Sequence, residues 1–147
     1  MTTPDYDTDF YAWTQAQAAA LRAQQGEALD WAHLAEEIED MGMSQRHAVQ
    51  SHLRVLLLHL LKWHNQPERR SENWLHSMAN AQIEIETYLD ENRSLRRELP
   101  GFVARAYPQA YRLAVRETGL PTVTFPFACP WTVAQLLDPE FLPPKLG

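Results

Sequence analysis

The sequence predicts an all-α fold: a helical bundle of four main helices, followed by a short C-terminal helix and a proline-rich tail that wraps the bundle. Apolar residues recur at the 3.6-residue period of an α-helix along most of the chain. Glycine occurs only five times in 147 residues, and six of the ten prolines lie at or after Pro121. We therefore expect one all-helical domain over residues 1–147, with its core at about 5–120 and the tail and short helix at 121–144.

The first predicted helix spans residues 5–25. It begins among Asp5, Asp7 and Asp9, which suit the positive N-terminal end of a helix. Gly26 fits the position just past its C-terminal end. The stripe that we expect to face the core is formed by Tyr6, Phe10, Trp13, Gln17 and Leu21.

The second predicted helix is long. Asp30 is a good N-cap, and one stripe keeps its phase across Gly42, which predicts a single helix over about 30–64, with a kink near Gly42 as the alternative. The predicted core stripe consists of Trp31, Leu34, Ile38, Met41, Gln45, Val49, His52, Leu56, His59 and Trp63. From 53 to 61 the helix is apolar on almost every side, which is typical of the centre of a bundle or of an oligomer interface.

Two further helices are predicted before residue 120. Ser71 is expected to cap the third helix, whose stripe contains Trp74, Met78, Ala81, Ile85, Tyr88 and Leu89. Residues 92–94 are predicted to form a loop. A fourth helix follows at about 95–118, which Pro100 and Pro108 should kink or divide and which Gly119 ends.

The tail has a different character. Residues 122–125 are predicted to be extended, and Thr132 is predicted to cap a short helix over about 133–138 that Pro139 stops. We expect the tail to bury its large apolar side chains against the bundle: Phe125, Phe127, Trp131, Phe141 and Leu142.

Composition predicts a cytoplasmic protein with no membrane partner. Cys129 is the only cysteine, which excludes an internal disulfide and fits a reducing compartment. Residues 1–10 lack the basic charge and apolar run of a signal peptide. The longest apolar run, 55–61, is too short to span a bilayer.

Charge is unevenly distributed along the chain. Residues 1–40 contain nine acidic residues and one basic residue, Arg22, a net of −8. The remainder contains ten acidic and twelve basic residues, a net of +2. We therefore predict that the acidic N-terminal arm docks against the turn that carries Arg69 and Arg70. The overall net charge of −6 argues against a broad nucleic-acid footprint.

Short segments in order along the chain carry a family resemblance. They are EEIEDMG at 36–42, LLLHLLKW at 56–63, QPERR at 66–70 with Trp74, RETGLP at 116–121, FP at 125–126, CPWT at 129–132, QLLD at 135–138 and FLP at 141–143. Together they resemble the bacterial domain-of-unknown-function 29 family over roughly residues 6–143. That resemblance implies a small helical bacterial protein with no assigned activity, and it supplies no catalytic residue.

The histidines are the first candidate site residues. His52 and His59 lie two turns apart on the predicted core face, which would suit a metal or proton-handling site. His33, Glu36 and Glu37 form a second set with helix-compatible ligand spacing. The Glu-x-x-His pairs of carboxylate-bridged metal bundles are absent from the sequence, so we favour core histidines bonded to a hydroxyl or carbonyl and expect no cofactor.

Two charged segments are the other candidates. Glu36, Glu37, Glu39 and Asp40 form an acidic face for a basic partner or a cation, or a solvated face that pairs with arginines elsewhere. A turn with Lys62, His64, Arg69 and Arg70 lies between two tryptophans and before a helix N-terminus, which would suit a phosphate or nucleic acid. Pairing of these cations with the acidic face is the alternative that we favour.

No Gly-rich phosphate loop, Gly-x-Ser-x-Gly elbow or Cys-x-x-Cys motif occurs in the sequence. We therefore predict a non-catalytic protein–protein interaction module, with a protein partner or self-association. Phosphate or nucleic-acid binding through the 62–70 turn is the first alternative. A metal-dependent enzyme that uses His52 and His59, or His33 with Glu36 and Glu37, is the second.

Overall fold

The computed structural model describes residues 4–143, which form α-helices, short 3-10 helices and connecting turns and contain no β-strand. The α-helices are α1 (Phe10–Arg22), α2 (Trp31–Asn65), α3 (Glu72–Glu91), α4 (Leu99–Thr118) and α5 (Val133–Leu137). The prediction of an all-α fold with four main helices and a short fifth one is therefore confirmed. No helix in this part of the chain is both long and apolar enough to cross a membrane.

The chain divides into two compact units, one up to Met43 and one from Ser44 onward. The N-terminal unit contains α1 and the first residues of α2, and the C-terminal unit contains the other helices. The expectation of a single domain stays a prediction.

α1 is shorter than the sequence predicts at both ends. It begins at Phe10 because Asp9 is the N-cap and accepts a hydrogen bond from the Ala12 N–H at 3.1 Å. It ends at Arg22, before Gly26, because Gln24 adopts a left-handed conformation with φ of 55°. The Gln25 N–H then donates to the Ala20 carbonyl at 2.9 Å, which closes the helix. The predicted stop at Gly26 is wrong.

α2 is one helix across Gly42, as the phase of its stripe predicts. Asp30 caps it, since its Oδ1 accepts from the His33 N–H at 3.4 Å. Burial along the stripe differs from the prediction, however. Val49, Leu56 and Trp63 are buried, whereas Trp31, Ile38 and Met41 are exposed. The first turns of α2 therefore carry an uncovered apolar face.

The core of the C-terminal unit is built around the apolar segment of α2. The segment contributes six leucines that are at most 8% exposed: Leu53, Leu56, Leu57, Leu58, Leu60 and Leu61. Met78, Ile85 and Leu89 of α3 and Phe102 of α4 complete the same cluster. Arg54, Val55 and His59 on the remaining side are half-buried, and the leucines of the segment form the core of this unit, as the apolar helix surface predicts.

α3 and α4 follow in the predicted order, but the connection between them and the effect of the prolines differ from the prediction. Ser71 caps α3 as predicted, since its Oγ accepts from the Trp74 N–H at 3.3 Å. The predicted loop at 92–94 is wrong, because a 3-10 helix runs over Arg93–Glu98 and leads into α4. Pro100 lies in the first turn of α4, where no N–H donor is needed, and Pro108 lies inside the helix without dividing it. Gly119 ends α4 with φ of 70°, as predicted.

The tail packs on α3 and α4 within the C-terminal unit. Residues Thr122–Thr124 form a 3-10 turn, so the predicted extended segment is wrong, and Thr132 caps α5 as predicted. Gln82 of α3 donates to the Leu136 carbonyl at 2.9 Å. Phe125 is buried, but Phe127 is 91% exposed, which corrects its predicted burial. Trp131, Phe141 and Leu142 are half-buried.

Candidate protein-binding groove

α1 and the first turns of α2 form an antiparallel helical hairpin, joined by the turn at 23–30. Trp13 and Gln17 of α1 are buried and hold the end of this turn. The Trp13 Nε1 donates to Asp30 Oδ2 at 3.1 Å, and the Asp30 backbone N–H donates to Gln17 Oε1 at 2.7 Å. Because Asp30 also caps α2, these bonds fix the beginning of α2 beside α1.

Tyr6 precedes α1 and lies on the first turns of α2. Its ring stacks on His33, with centroids 3.9 Å apart and planes 10° apart, and the Trp13 ring meets it edge-on. Its hydroxyl donates to Glu37 Oε1. The pKa of Tyr6 is raised to about 12, first by this hydrogen bond and then by desolvation and the neighbouring carboxylates.

His33 and Asp30 form an ion pair at the N-terminus of α2. The His33 Nδ1 lies 2.7 Å from Asp30 Oδ2. This bond is the main reason why the pKa of His33 is raised, with the charges of Asp30, Asp7 and Glu36 adding to it and desolvation opposing it. The same bond is the main reason why the pKa of Asp30 is lowered.

A groove of about 580 Å³ runs between α1 and the first turns of α2. Four large apolar side chains that line it are 47–62% exposed: Phe10, Leu21, Ile38 and Met41. The remaining lining residues are Trp13, Thr14, Gln17, Ala18, Leu34 and Glu37. The helical periodicity of the sequence assigns most of these residues to stripes that were expected to face the core. The sequence analysis therefore did not predict the groove. One signal in the sequence could have indicated that this part of α2 is exposed. It carries the acids Glu36, Glu39 and Asp40, whereas the segment at 53–61 is apolar on almost every side.

The predicted acidic face lies on the same turns of α2. Glu37 is half-buried and bound by Tyr6, whereas Glu36, Glu39 and Asp40 are exposed. The carboxylates at 36 and 40 are one turn apart and repel each other. Glu37 alone of these four lines the groove, and the other three carboxylates lie on the side of α2 that faces away from it.

The predicted anion site lies in the C-terminal unit. Lys62 Nζ is 3.5 Å from Glu117 Oε2, and Arg70 donates to the Trp63 carbonyl at 2.9 Å while its guanidinium lies over the Trp63 ring. His64 and Arg69 are exposed. Partial desolvation, and then the charge of Arg70, lower the pKa of His64, whose ring lies 5.7 Å from that of Trp131. Lys62 and Arg70, two of the three cations of this turn, thus have partners within their own unit, and docking of the acidic arm onto the turn stays a prediction.

His52 and His59, the two histidines of the predicted metal site, are half-buried and differ in their contacts. His59 Nδ1 lies 2.8 Å from the Val55 carbonyl oxygen, and burial lowers the pKa of His59. The His52 ring packs 6.0 Å from that of Tyr88. Over residues 4–143, no three His, Cys, Asp or Glu side chains form a group that could hold a metal ion. The contact of His59 with a carbonyl is the one expected of a structural histidine.

Comparison with known proteins identifies the family. A family model described as the domain of unknown function DUF29 matches residues 6–142, nearly the whole chain. No curated protein and no solved structure matches the chain significantly. Because the match covers nearly the whole chain, the chain belongs to the family described as domain of unknown function DUF29.

Proposed function

We propose that the protein is a non-catalytic protein–protein interaction module whose groove between α1 and the first turns of α2 receives one α-helix of another protein. The observation that carries this proposal is the exposure of four large apolar side chains in one groove. Contiguous apolar surface of this kind is typical of binding sites, whereas single exposed apolar residues are ordinary.

A helix suits the groove because two helices already form its sides. Phe10, Gln17 and Leu21 on α1 and Leu34, Ile38 and Met41 on α2 recur at helical spacing. A third helix can pack against two neighbours at the usual interaxial distance of about 8–10 Å. Helix-in-groove binding uses apolar anchors at the same spacing on the incoming helix.

Charge favours another protein over a second copy of this unit. Residues 1–40 carry a net charge of −8, and two such units would repel each other if their grooves came together.

The proposal also places the module in the cytoplasm, in line with its single cysteine. Phosphate binding at the 62–70 turn has less support, because Lys62 and Arg70 have partners.

The test uses the full chain with ¹³C-labelled methionine methyl groups and a designed amphipathic peptide of about 18 residues, with a leucine stripe and a glutamine polar face. We expect the peptide to shift the Met41 methyl resonance, because Met41 lines the groove. The Met78 resonance should not move, because Met78 is fully buried in the C-terminal unit. Ile38→Glu should weaken peptide binding at least about tenfold by placing a charge in the apolar contact.

Ile83 provides a matched control, since it is 61% exposed on α3 while Ile38 is 62% exposed on α2. Ile83→Glu should leave peptide binding unchanged. Absence of a Met41 shift, or equal weakening by both variants, contradicts the proposal. A dimer in sedimentation velocity that dissociates only in Ile38→Glu would make a second copy the occupant, which also contradicts it.

A further inference from the structure

We propose that four arginines of the C-terminal unit form a narrow binding site for the phosphate backbone of a nucleic acid. They lie along the line where α2 and α4 pack, which we call the arginine seam: Arg54 of α2 and Arg105, Arg112 and Arg116 of α4. The seam shares no residue with the groove of the proposed function, so it gives the chain a second kind of partner.

α2 and α4 lie side by side in the C-terminal unit. Arg46 of α2 binds Glu98, the residue before α4, at 3.0 Å, and Lys62 of α2 lies 3.5 Å from Glu117 near the end of α4. Arg54 is midway between Arg46 and Lys62 in the sequence, and at 100° per residue its direction is also midway between theirs. Arg54 therefore lies on the side of α2 that adjoins α4, level with the middle of α4.

The other three arginines follow one line along α4. At 100° per residue, Arg112 and Arg116 lie within about 20° of Arg105, and the line is about 16 Å long. The guanidinium groups of Arg105 and of Arg46 from α2 both lie over the Phe102 ring, 6.0 and 5.7 Å from its centre. This shared ring places the line on the edge of α4 that borders α2.

The four arginines keep an uncompensated positive charge. Within the part of the chain that the structure describes, no carboxylate pairs with any of them. Residues 44–65 contain no acid, and Glu117, the only acid of α4, is used by Lys62. The α3 helix has the opposite composition, with no Lys or Arg and five acids: Glu72, Glu84, Glu86, Asp90 and Glu91. The C-terminal unit is therefore polarised, with its positive side at the seam.

The surroundings of the seam favour a nucleic acid over an acidic protein. Residues 44–65 and 99–118 contain no exposed large apolar side chain, whereas a protein interface needs an apolar centre. A phosphate backbone is bound mainly through charge, and each guanidinium can donate two parallel hydrogen bonds to one phosphate. Because α3 repels polyanions, the contact is confined to the seam, in agreement with the net charge of −6.

The experiment measures binding of a fluorescein-labelled DNA duplex of about 20 base pairs to the full chain by fluorescence anisotropy. Each phosphate contact contributes about −0.9 to the slope of the logarithm of the association constant against the logarithm of the salt concentration, so four contacts predict a slope of about −3.6. Arg112→Gln/Arg116→Gln should reduce the slope to about −1.8 and weaken binding at least about tenfold at about 50 mM salt.

Arg69→Gln/Arg93→Gln is the matched control, because it removes the same charge from two exposed arginines that lie outside α2 and α4. It should leave the slope unchanged, and circular dichroism verifies that both variants are folded. Equal weakening by the two variants, weakening by the control alone, or no binding by the wild type at low salt overturns the inference. A glutamate peptide that binds the wild type as tightly as the duplex would make the seam a site for acidic proteins, which also overturns it.

Discussion

The Asp30 carboxylate connects three features of the N-terminal unit. It accepts a hydrogen bond from Trp13 of α1, pairs with His33, and caps the first turn of α2. The sequence predicted the cap, because an acidic residue before a helical stripe indicates an N-terminus. It did not predict the bond to Trp13, which is made across the turn and depends on how the two helices pack.

His33 makes the stability of this unit depend on pH. The pKa of His33 is raised above its ordinary 6.5, so the folded state binds the proton more tightly than the unfolded state. The stabilisation is therefore fully present below pH 6.5 and is lost as pH rises through the folded-state pKa. We expect the free energy of unfolding to fall over that interval in the wild type and to fall less in His33→Gln.

NMR titration of the His33 ring measures the shift directly. The ring should titrate above pH 6.5 in the wild type, and Asp30→Asn should lower its pKa because the principal hydrogen-bond partner loses its charge. A His33 pKa at or below 6.5 in the wild type contradicts the role assigned to the ion pair. The lowered pKa of Asp30 gives stability the opposite dependence on pH. The stabilisation that the Asp30 carboxylate contributes is present above pH 3.8 and is lost as pH falls through the folded-state pKa of Asp30.

At the scale of elements, the sequence predicted the helices better than their ends. The constant phase across Gly42 predicted α2 as one helix, and a Cβ at Gly42 would meet nothing within 4 Å. The end of α1 was mispredicted, because glycine is the usual residue past a helix end but here Gln24 takes the left-handed conformation. Pro108 does not divide α4, whose residues on either side of it, Ala106 and Ala110, are buried in the core.

Gln24→Gly tests this account of the α1 terminus. Glycine adopts a φ of 55° without steric cost, so the substitution should raise the free energy of unfolding by about 0.5–1 kcal/mol. Gln25 has a φ of −92° and is the matched control. Gln25→Gly should give no gain, because its conformation is open to any residue. Chemical denaturation measures the free energy of unfolding of both variants. An equal gain in Gln25→Gly and Gln24→Gly would contradict the role of the left-handed Gln24 at the end of α1.

For the whole molecule, the sequence predicted which residues share a face but not which faces are covered. Ile38 and Val49 lie on one stripe of α2, yet Val49 is fully buried and Ile38 is exposed. The difference arises from the packing partners that surround each segment, which periodicity does not contain. The nearly all-round apolar pattern at 53–61 was informative because a helix of this kind must be covered on most of its surface, here by the core of the C-terminal unit. The groove exists because α1 and the first turns of α2 pack side by side, and the periodicity of each helix alone does not predict that packing.

The central claim is that the N-terminal groove receives a partner helix, and intermolecular NOEs test it most directly. With the leucine-stripe peptide bound to the methyl-labelled full chain, we predict NOEs from the peptide leucine methyls to the Ile38 and Met41 methyl groups, which line the groove. No NOE to Ile83 is expected, since it lies on α3. NOEs to Ile83 but not to Ile38 or Met41, in a saturated complex, would contradict the account.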